Sequence, residues 1–339
     1  MAQTSTSTAQ AWTGAELSRT QDWITPLAQA DVAEIREAVR SVESRGIPLF
    51  DIRAEDFVLP RLAPRLTALR QQLEGGRGFA LLRGLPVDEW SLESNQRVVW
   101  GLAQHLGLPE GQDRLGSLMH NVRNTGKQVA GSDSTRGYET DDELTFHNDG
   151  GDAFMLLCLK TAVDGGVSKL ISSTTLFNEV QRRRPDLLPV LQAPFHFDLR
   201  GQNAQGQKVQ SVPIFNLHAG RVNVLYKKRF ILQAQRFEEV PRLSPQQQEA
   251  IDLLETLCAD PSIYLSFSMQ RGDIQVGSNH AVLHSRTSYV DHEDVAERRH
   301  LLRVWLTLAN GRPLPPVYAT TREFGATYAR RMQQAEPVA

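Results

Sequence analysis

The stretch LTFHNDGGDAFMLLCLK, residues 144–160, says most about the fold class. Leu144 and Phe146 alternate with Thr145 and His147, as in a strand with one face toward a core. Gly150-Gly151 lets the backbone leave that strand tightly, and FMLLCLK (154–160) then reads as a buried strand. A polar His-Asn-Asp trio is left at the rim between the two. Toward the C-terminus, further short strand candidates follow: SKLIS (168–172), RVNVLY (221–226), SIYLSF (262–267), DIQVGS (273–278) and LLRVWLTL (301–308). Helical stretches at about 174–183 and 245–258 interrupt them.

Toward the N-terminus the period changes. Val32, Ile35, Val39 and Val42 recur at spacings of three and four, predicting a helix over 30–44. Leu62, Leu66, Leu69 and Leu73 do the same over 61–74, and Val98, Leu102, His105 and Leu106 over about 92–106, with His105 expected as a core histidine. GFALLRG (78–84) is a short apolar run between glycines and reads as a buried strand. A helical first third followed by many short strands predicts a mainly β fold with α additions, a barrel or sandwich. Strands and helices do not alternate and no glycine-rich phosphate loop is present, which argues against a nucleotide-binding α/β fold.

Composition narrows the class. Of 339 residues, 40% are hydrophobic and 22% charged, enough for a sizeable core. Lys+Arg 37 against Asp+Glu 39 gives a net charge of -2, which argues against nucleic-acid binding through bulk positive charge. Only Cys158 and Cys258 are present, so a disulfide scaffold or multi-cysteine zinc cluster is excluded. Cys158, in MLLCLK, reads as a small buried apolar residue. No apolar run approaches the ~20 residues of a membrane helix, and no secretory signal is visible. The expectation is a cytoplasmic protein with no nucleic-acid or membrane partner. Residues 1–28, rich in Thr, Ser, Ala and Gln, read as a loosely held arm, ordered only if it docks on the core. Residues 108–142 carry few periodic signals and read as an insert or lid.

Nine histidines carry the chemistry. A His two residues before a carboxylate can bind one metal from one strand, because alternate side chains point the same way. A second His from elsewhere completes a two-His-one-carboxylate face that leaves positions open on Fe(II). The spacing alone is weak. Three pairs satisfy it here, His147/Asp149, His196/Asp198 and His292/Asp294, where about one is expected by chance. Context favours the first. His292/Asp294 lies in the charged, solvated-looking SYVDHEDVAERRH, and His196/Asp198 in the half-buried strand pattern PFHFDLRG. GSNHAVLHSR offers His280 and His284 as the distal partner. In RRHLLRVWL, alternation puts Arg299, Leu301 and Arg303 on one face of a strand. Buried there, the two arginines need anions.

With these residues in place, the chain resembles the taurine/2,4-D dioxygenase-like family, which includes the clavaminate-synthase-like enzymes. These are Fe(II)- and 2-oxoglutarate-dependent oxygenases on a double-stranded β-helix. The resemblance runs from about Gly78 to Pro315 and is strongest in residues 144–173, 272–291 and 298–306. It implies a double-stranded β-helix (jelly roll) core with N-terminal and inserted helices. One catalytic domain would cover 29–339, with its helical part over about 29–107.

Position by position, the resemblance makes His147, Asp149 and His284 the metal ligands and selects His284 over His280. It gives Arg299 to 2-oxoglutarate and Arg303 to a substrate anion. Gly165-Gly166-Val167-Ser168 stands where the family has Gly-Gly-x-Thr, so Ser168 is expected to help hold the co-substrate carboxylate. Asn148 should point away from the metal. Arg123 and His120, in LMHNVRN, together with Asn279 and Arg286, are the further substrate-binding candidates. Tyr138 is a candidate for the lid.

The implied activity consumes 2-oxoglutarate and O2, releases succinate and CO2, and oxidises a C–H bond of a small anionic molecule such as an amino acid or its derivative in secondary metabolism. Hydroxylation is the expected outcome. Desaturation, epimerisation or cyclisation by the same iron chemistry, or a non-catalytic metal- or ligand-binding protein on this fold, are the alternatives. A homodimer is one assembly open to it.

Overall fold

The strand Ala153–Lys160 shows how the layers of this computed structural model arise. The structure describes residues 10–126, 137–202, 206–309 and 311–335. Met155, Leu157 and Leu159 point to one side of the strand. They pack with Ala80, Leu82, Val276, Val304 and Leu306 against helices Gln29–Ser44, Leu62–Gly75 and Leu92–Leu106. Phe154 and Leu156 point to the other side, where Phe79, Leu81 and Trp305 meet Leu170, Leu265 and Val282 of a second sheet. Period-two alternation in apolar strands therefore buries both faces of the first sheet.

That sheet runs in the order Ile24–Pro26, Phe79–Arg83, Ile274–Ser278, Ala153–Lys160, His300–Thr307 and Leu108–Glu110, and His120–Val122 also pairs with His300–Thr307. Its strands pair antiparallel except the first two. The second sheet has the order Leu265–Phe267, Ser168–Ser172, Val282–Arg286 and Leu144–His147, all antiparallel. On its outer face Phe146, Ile171 and Leu283 pack against helices Ser173–Arg183 and Pro245–Ala259. Two facing sheets between helical layers form the jelly-roll core with N-terminal and inserted helices that the family resemblance implies.

The expected helices appear with their ends set by local chemistry. Ser91 Oγ accepts from Ser94 N at the start of Leu92–Leu106, and Gly107 follows its end. Ser244 and Gln247 cap Pro245–Ala259 reciprocally, with proline in the first turn. RVNVLY is shorter than expected, a strand only over Arg221–Val224 in a hairpin with Phe215–His218. SIYLSF is a strand only over Leu265–Phe267. Helix Gly325–Ala335 was not foreseen; Arg331 ties it to the buried Asp152 at 2.5 Å.

The arm differs from the expectation. Residues 10–28 are fixed, because Trp12 and Trp23 are buried in the core between the sheets. Trp12 Nε1 donates to Arg77 O at 2.7 Å, Thr175 Oγ1 donates to Trp12 O at 2.6 Å, and Ile24–Pro26 joins the first sheet. Two buried indoles outweigh a polar composition. Residues 127–136, the middle of the expected lid, lie outside the described residues. The flanking parts of that segment supply strands Leu108–Glu110 and His120–Val122 rather than a structureless loop.

Candidate active site

His147 ends strand Leu144–His147 and pairs directly across from His284 of strand Val282–Arg286. The chain then turns, so Asp149 reaches the same place from beyond the strand end. Gly151, with φ +72, makes the turn possible; a Cβ there would lie 2.9 Å from Leu306 O. Asn148 points away into the core, donating to Val224 O and Asn279 O and accepting from Tyr226 N. His147, Asp149 and His284 each present a ligand atom within 4.8 Å of the others. Asp149 Oδ1 is 4.0 Å from His147 Nε2 and Oδ2 is 3.8 Å from His284 Nε2.

The protonation states suit a metal. His147 Nδ1 lies 2.8 Å from Thr145 O. A carbonyl only accepts, so Nδ1 carries the proton and Nε2 faces Asp149 and His284 with a free lone pair. Burial pushes His284 down to about 3, reinforced by His147, and burial also lowers His147. Both imidazoles are therefore neutral near pH 7. Burial works against ionised Asp149, but the Arg303 guanidinium, the largest opposing influence, holds it well below the usual carboxylate range. Arg303 Nη1 and Trp305 Nε1 donate to its Oδ2 at 3.1 and 3.0 Å. Two neutral imidazoles and a carboxylate on one side of a point form the donor set expected for Fe(II) with open positions.

Two cavities meet at Tyr138, Leu144, His147, Asp149 and Arg303. The smaller one lies between the sheets and is lined also by Ser168, Gln275, His284, Arg286, Arg299 and Leu301. Three of its buried atoms, Arg299 Nη1, Arg286 Nη1 and Gln275 Oε1, have no hydrogen-bond partner among the described residues. Natural proteins rarely leave such groups bare, so the gap has the polarity of a missing ligand. Gly166 sits against Arg299, where a Cβ would be 3.1 Å from its Nε, and so lets the guanidinium lie across the cavity. Two arginines and the Ser168 hydroxyl beside His147, Asp149 and His284 fit a short keto acid with a remote carboxylate.

The larger cavity, about 690 Å³, carries Arg200, Lys227, Lys228, Arg229, Arg303 and Arg322 against Asp113, Glu143, Asp149 and Glu255. Its size suits a small molecule.

The substrate candidates from the sequence sort unevenly between these spaces. Arg303 lines both cavities but is engaged, with Nη1 on Asp149 and Nε 2.8 Å from Gln112 Oε1. Asn279 lines neither. Its Oδ1 accepts from Asp149 N at 3.0 Å and its Nδ2 donates to Gly150 O at 2.8 Å, so it clamps the turn that carries Asp149. His120 lies 3.0 Å from Asp113 Oδ2, behind a residue of the chamber wall. Arg123 is exposed and lines neither cavity. Arg286 belongs to the small cavity rather than to the substrate chamber.

The other triplets serve structure. Asp198 is paired with Arg236 at 3.0 Å, and Asp294 caps the turn Val295–Glu297. His280 is locked 2.9 Å from Asp152 Oδ1 and stacks on Tyr318, which leaves His284 as the distal partner. His105 is held by Phe57 O at 2.7 Å. Trp305, Lys227 and Gln275 were missed. Alternation beyond Arg303 would have flagged Trp305, and a lone polar residue in the strand DIQVGS would have flagged Gln275. Lys227 had no signal.

Residues 43–305 match the family described as taurine catabolism dioxygenase TauD/TfdA. The chain is 30% identical over 318 residues to FR-33289 synthase of Streptomyces rubellomurinus, covering 92% of this chain and 93% of that one. It is 29% identical to the taurine hydroxylase-like protein SAT17 of Stachybotrys chartarum, covering 87% and 77%. Among solved structures it is similar to asparagine oxygenase in complex with Fe(II), 3-hydroxyasparagine and succinate, at TM-score 0.67 and 19% identity over 84% of this chain and 93% of that one. The non-heme iron oxygenase OrfP with Fe and α-ketoglutaric acid aligns at TM-score 0.61 and 17% identity, over the same shares. In sequence and in fold, this chain belongs to the TauD/TfdA dioxygenase family.

Proposed function

We propose that the chain is an Fe(II)- and 2-oxoglutarate-dependent oxygenase that hydroxylates a C–H bond of a small amino acid or derivative bearing an acid group. The observation that carries this is the junction of the two cavities at His147 and Asp149, with unpaired arginine in the smaller one. His147, Asp149 and His284 would hold the iron, and Arg299 with Ser168 the remote carboxylate of 2-oxoglutarate. When bound, iron and keto acid supply the oxidation, in which one oxygen atom of O2 enters the product and the other enters succinate as CO2 leaves.

The chain's own residues do the rest. Asn279 and Gly151 shape the turn that presents Asp149. Thr145 O fixes the His147 tautomer. Leu156 and Leu301 help keep the small cavity apolar between its polar ends. Six basic against four acidic side chains around the chamber support a substrate with an acid group. The hydroxylated amino acids in the asparagine oxygenase and OrfP complexes support an amino-acid substrate.

The test is an anaerobic preparation given Fe(II) and 2-oxoglutarate. A weak visible charge-transfer band is expected, and succinate on O2 addition with a panel of amino acids and their derivatives. Absence of both the band and succinate refutes the proposal.

A further inference from the structure

We propose that Arg286 is a second arginine for the remote carboxylate of the keto acid, closing on it together with Arg299. This rests on the function proposed above. Along strand Val282–Arg286, alternation turns Val282, His284 and Arg286 to the inside, so the same strand that presents His284 aims Arg286 into the small cavity. Arg286 and Arg299 are 5% and 6% exposed. Both guanidiniums lie over the ring of Tyr289, at 4.6 and 5.1 Å from its centroid. Arg286 pairs in register with Ser168, the hydroxyl expected on the same carboxylate.

The hydrogen bonding of Arg286 is incomplete in a particular way. Its Nε donates to Thr287 O at 3.2 Å and its Nη2 to Thr140 O at 3.2 Å and to Asp142 O, all neutral carbonyls. Neither Arg286 nor Arg299 has a carboxylate in ion-pair range among the described residues, and the Nη1 of each is buried without a partner. Two like charges share one aromatic ring in a dry space; Asp141 and Asp142 act on Arg286 and Asp291 on Arg299 without an ion pair, so an anion seated between the two guanidiniums would relieve their repulsion. A carboxylate has two oxygens and about four lone-pair sites, enough to accept from both forks. An arginine kept only to brace the 140–142 backbone would not need a bare donor at the cavity.

The Fe(II)-loaded protein, kept anaerobic, is titrated with 2-oxoglutarate and with 2-oxopentanoate, which has the same chain but no remote carboxylate, and the charge-transfer band gives each affinity. For Arg286→Gln, 2-oxoglutarate affinity should fall about 10- to 100-fold, the range for a charge-assisted hydrogen bond, with 2-oxopentanoate within about twofold. Equal losses for both acids, or no loss for 2-oxoglutarate, overturn the proposal. If the Gln variant does not fold, Arg286→Lys is judged by the same ratio, because an ammonium cannot reproduce the fork. Arg299→Gln separates the two levels. A selective loss there with none at Arg286 overturns only the clamp, whereas a wild-type protein with no band for either acid overturns the function itself.

Discussion

The two cavities that meet at His147, Asp149 and Arg303 settle their charges in opposite ways. In the chamber, Lys228 pairs with Glu255 at 3.1 Å, Lys227 with Glu323 at 2.7 Å and Arg303 with Asp149 at 3.1 Å. In the small cavity Arg286 and Arg299 have no such partner among the described residues. A paired charge is compensated whether or not a ligand is bound, whereas an unpaired buried cation is expensive until an anion arrives. The small cavity is therefore shaped by an anion of fixed chemistry. The chamber's charges are largely paired with one another, with six basic against four acidic side chains around it.

The largest effect should separate two histidines four residues apart. His284→Ala is expected to abolish Fe(II) binding and turnover, because it removes one of three ligands. His280→Ala should keep iron stoichiometry and lose about 1–3 kcal/mol of stability by stripping a buried hydrogen bond from Asp152. Iron content and denaturant melts of both variants check this. Loss of iron in His280→Ala with retention in His284→Ala would reverse the assignment.

Asn279→Ala comes next. It removes the acceptor for Asp149 N and the donor to Gly150 O without touching either cavity. Supporting residues of this kind typically change metal affinity about 10- to 100-fold. A Fe(II) titration should show that loss with the 2-oxoglutarate to 2-oxopentanoate preference intact. A changed preference would mean that the turn also shapes the small cavity.

Much of this was legible in the sequence, for a physical reason. Strand alternation narrowed the candidates to three His-x-Asp pairs, two distal histidines and the arginine pair Arg299 and Arg303, and the family resemblance chose His147, Asp149, His284 and Arg299 among them. The apolar helices over 30–44, 61–74 and 92–106 were equally plain, because burial imposes the period. What failed depended on contacts between distant segments. The arm is pinned by Trp12 and Trp23, and nothing local says where an indole docks. Asn279 looked like a site residue, yet its partners lie about 130 residues away in the chain. Lys227 became visible only when the chamber closed around it.

The smallest effect is expected at Arg123. It is one of the further substrate-binding candidates that the sequence offers. Strand His120–Val122 pairs with Leu301–Arg303 so that His120 stands opposite Arg303 and Val122 opposite Leu301. Asn121, on the alternate face, meets the outward His300 at 2.7 Å. Arg123 follows on that side and bears on His300, whose imidazole is lowered to about 4 by burial first and by Arg123 second. It is exposed and borders neither cavity. Arg123→Ala should therefore leave kcat and KM for both substrates within about twofold, as surface substitutions do. A tenfold rise in the KM of the organic substrate alone would show that the chamber extends past its described wall to this arginine. The contrast between a balanced chamber and an unbalanced co-substrate cavity would then weaken, since the chamber too would hold a cation waiting for an anion.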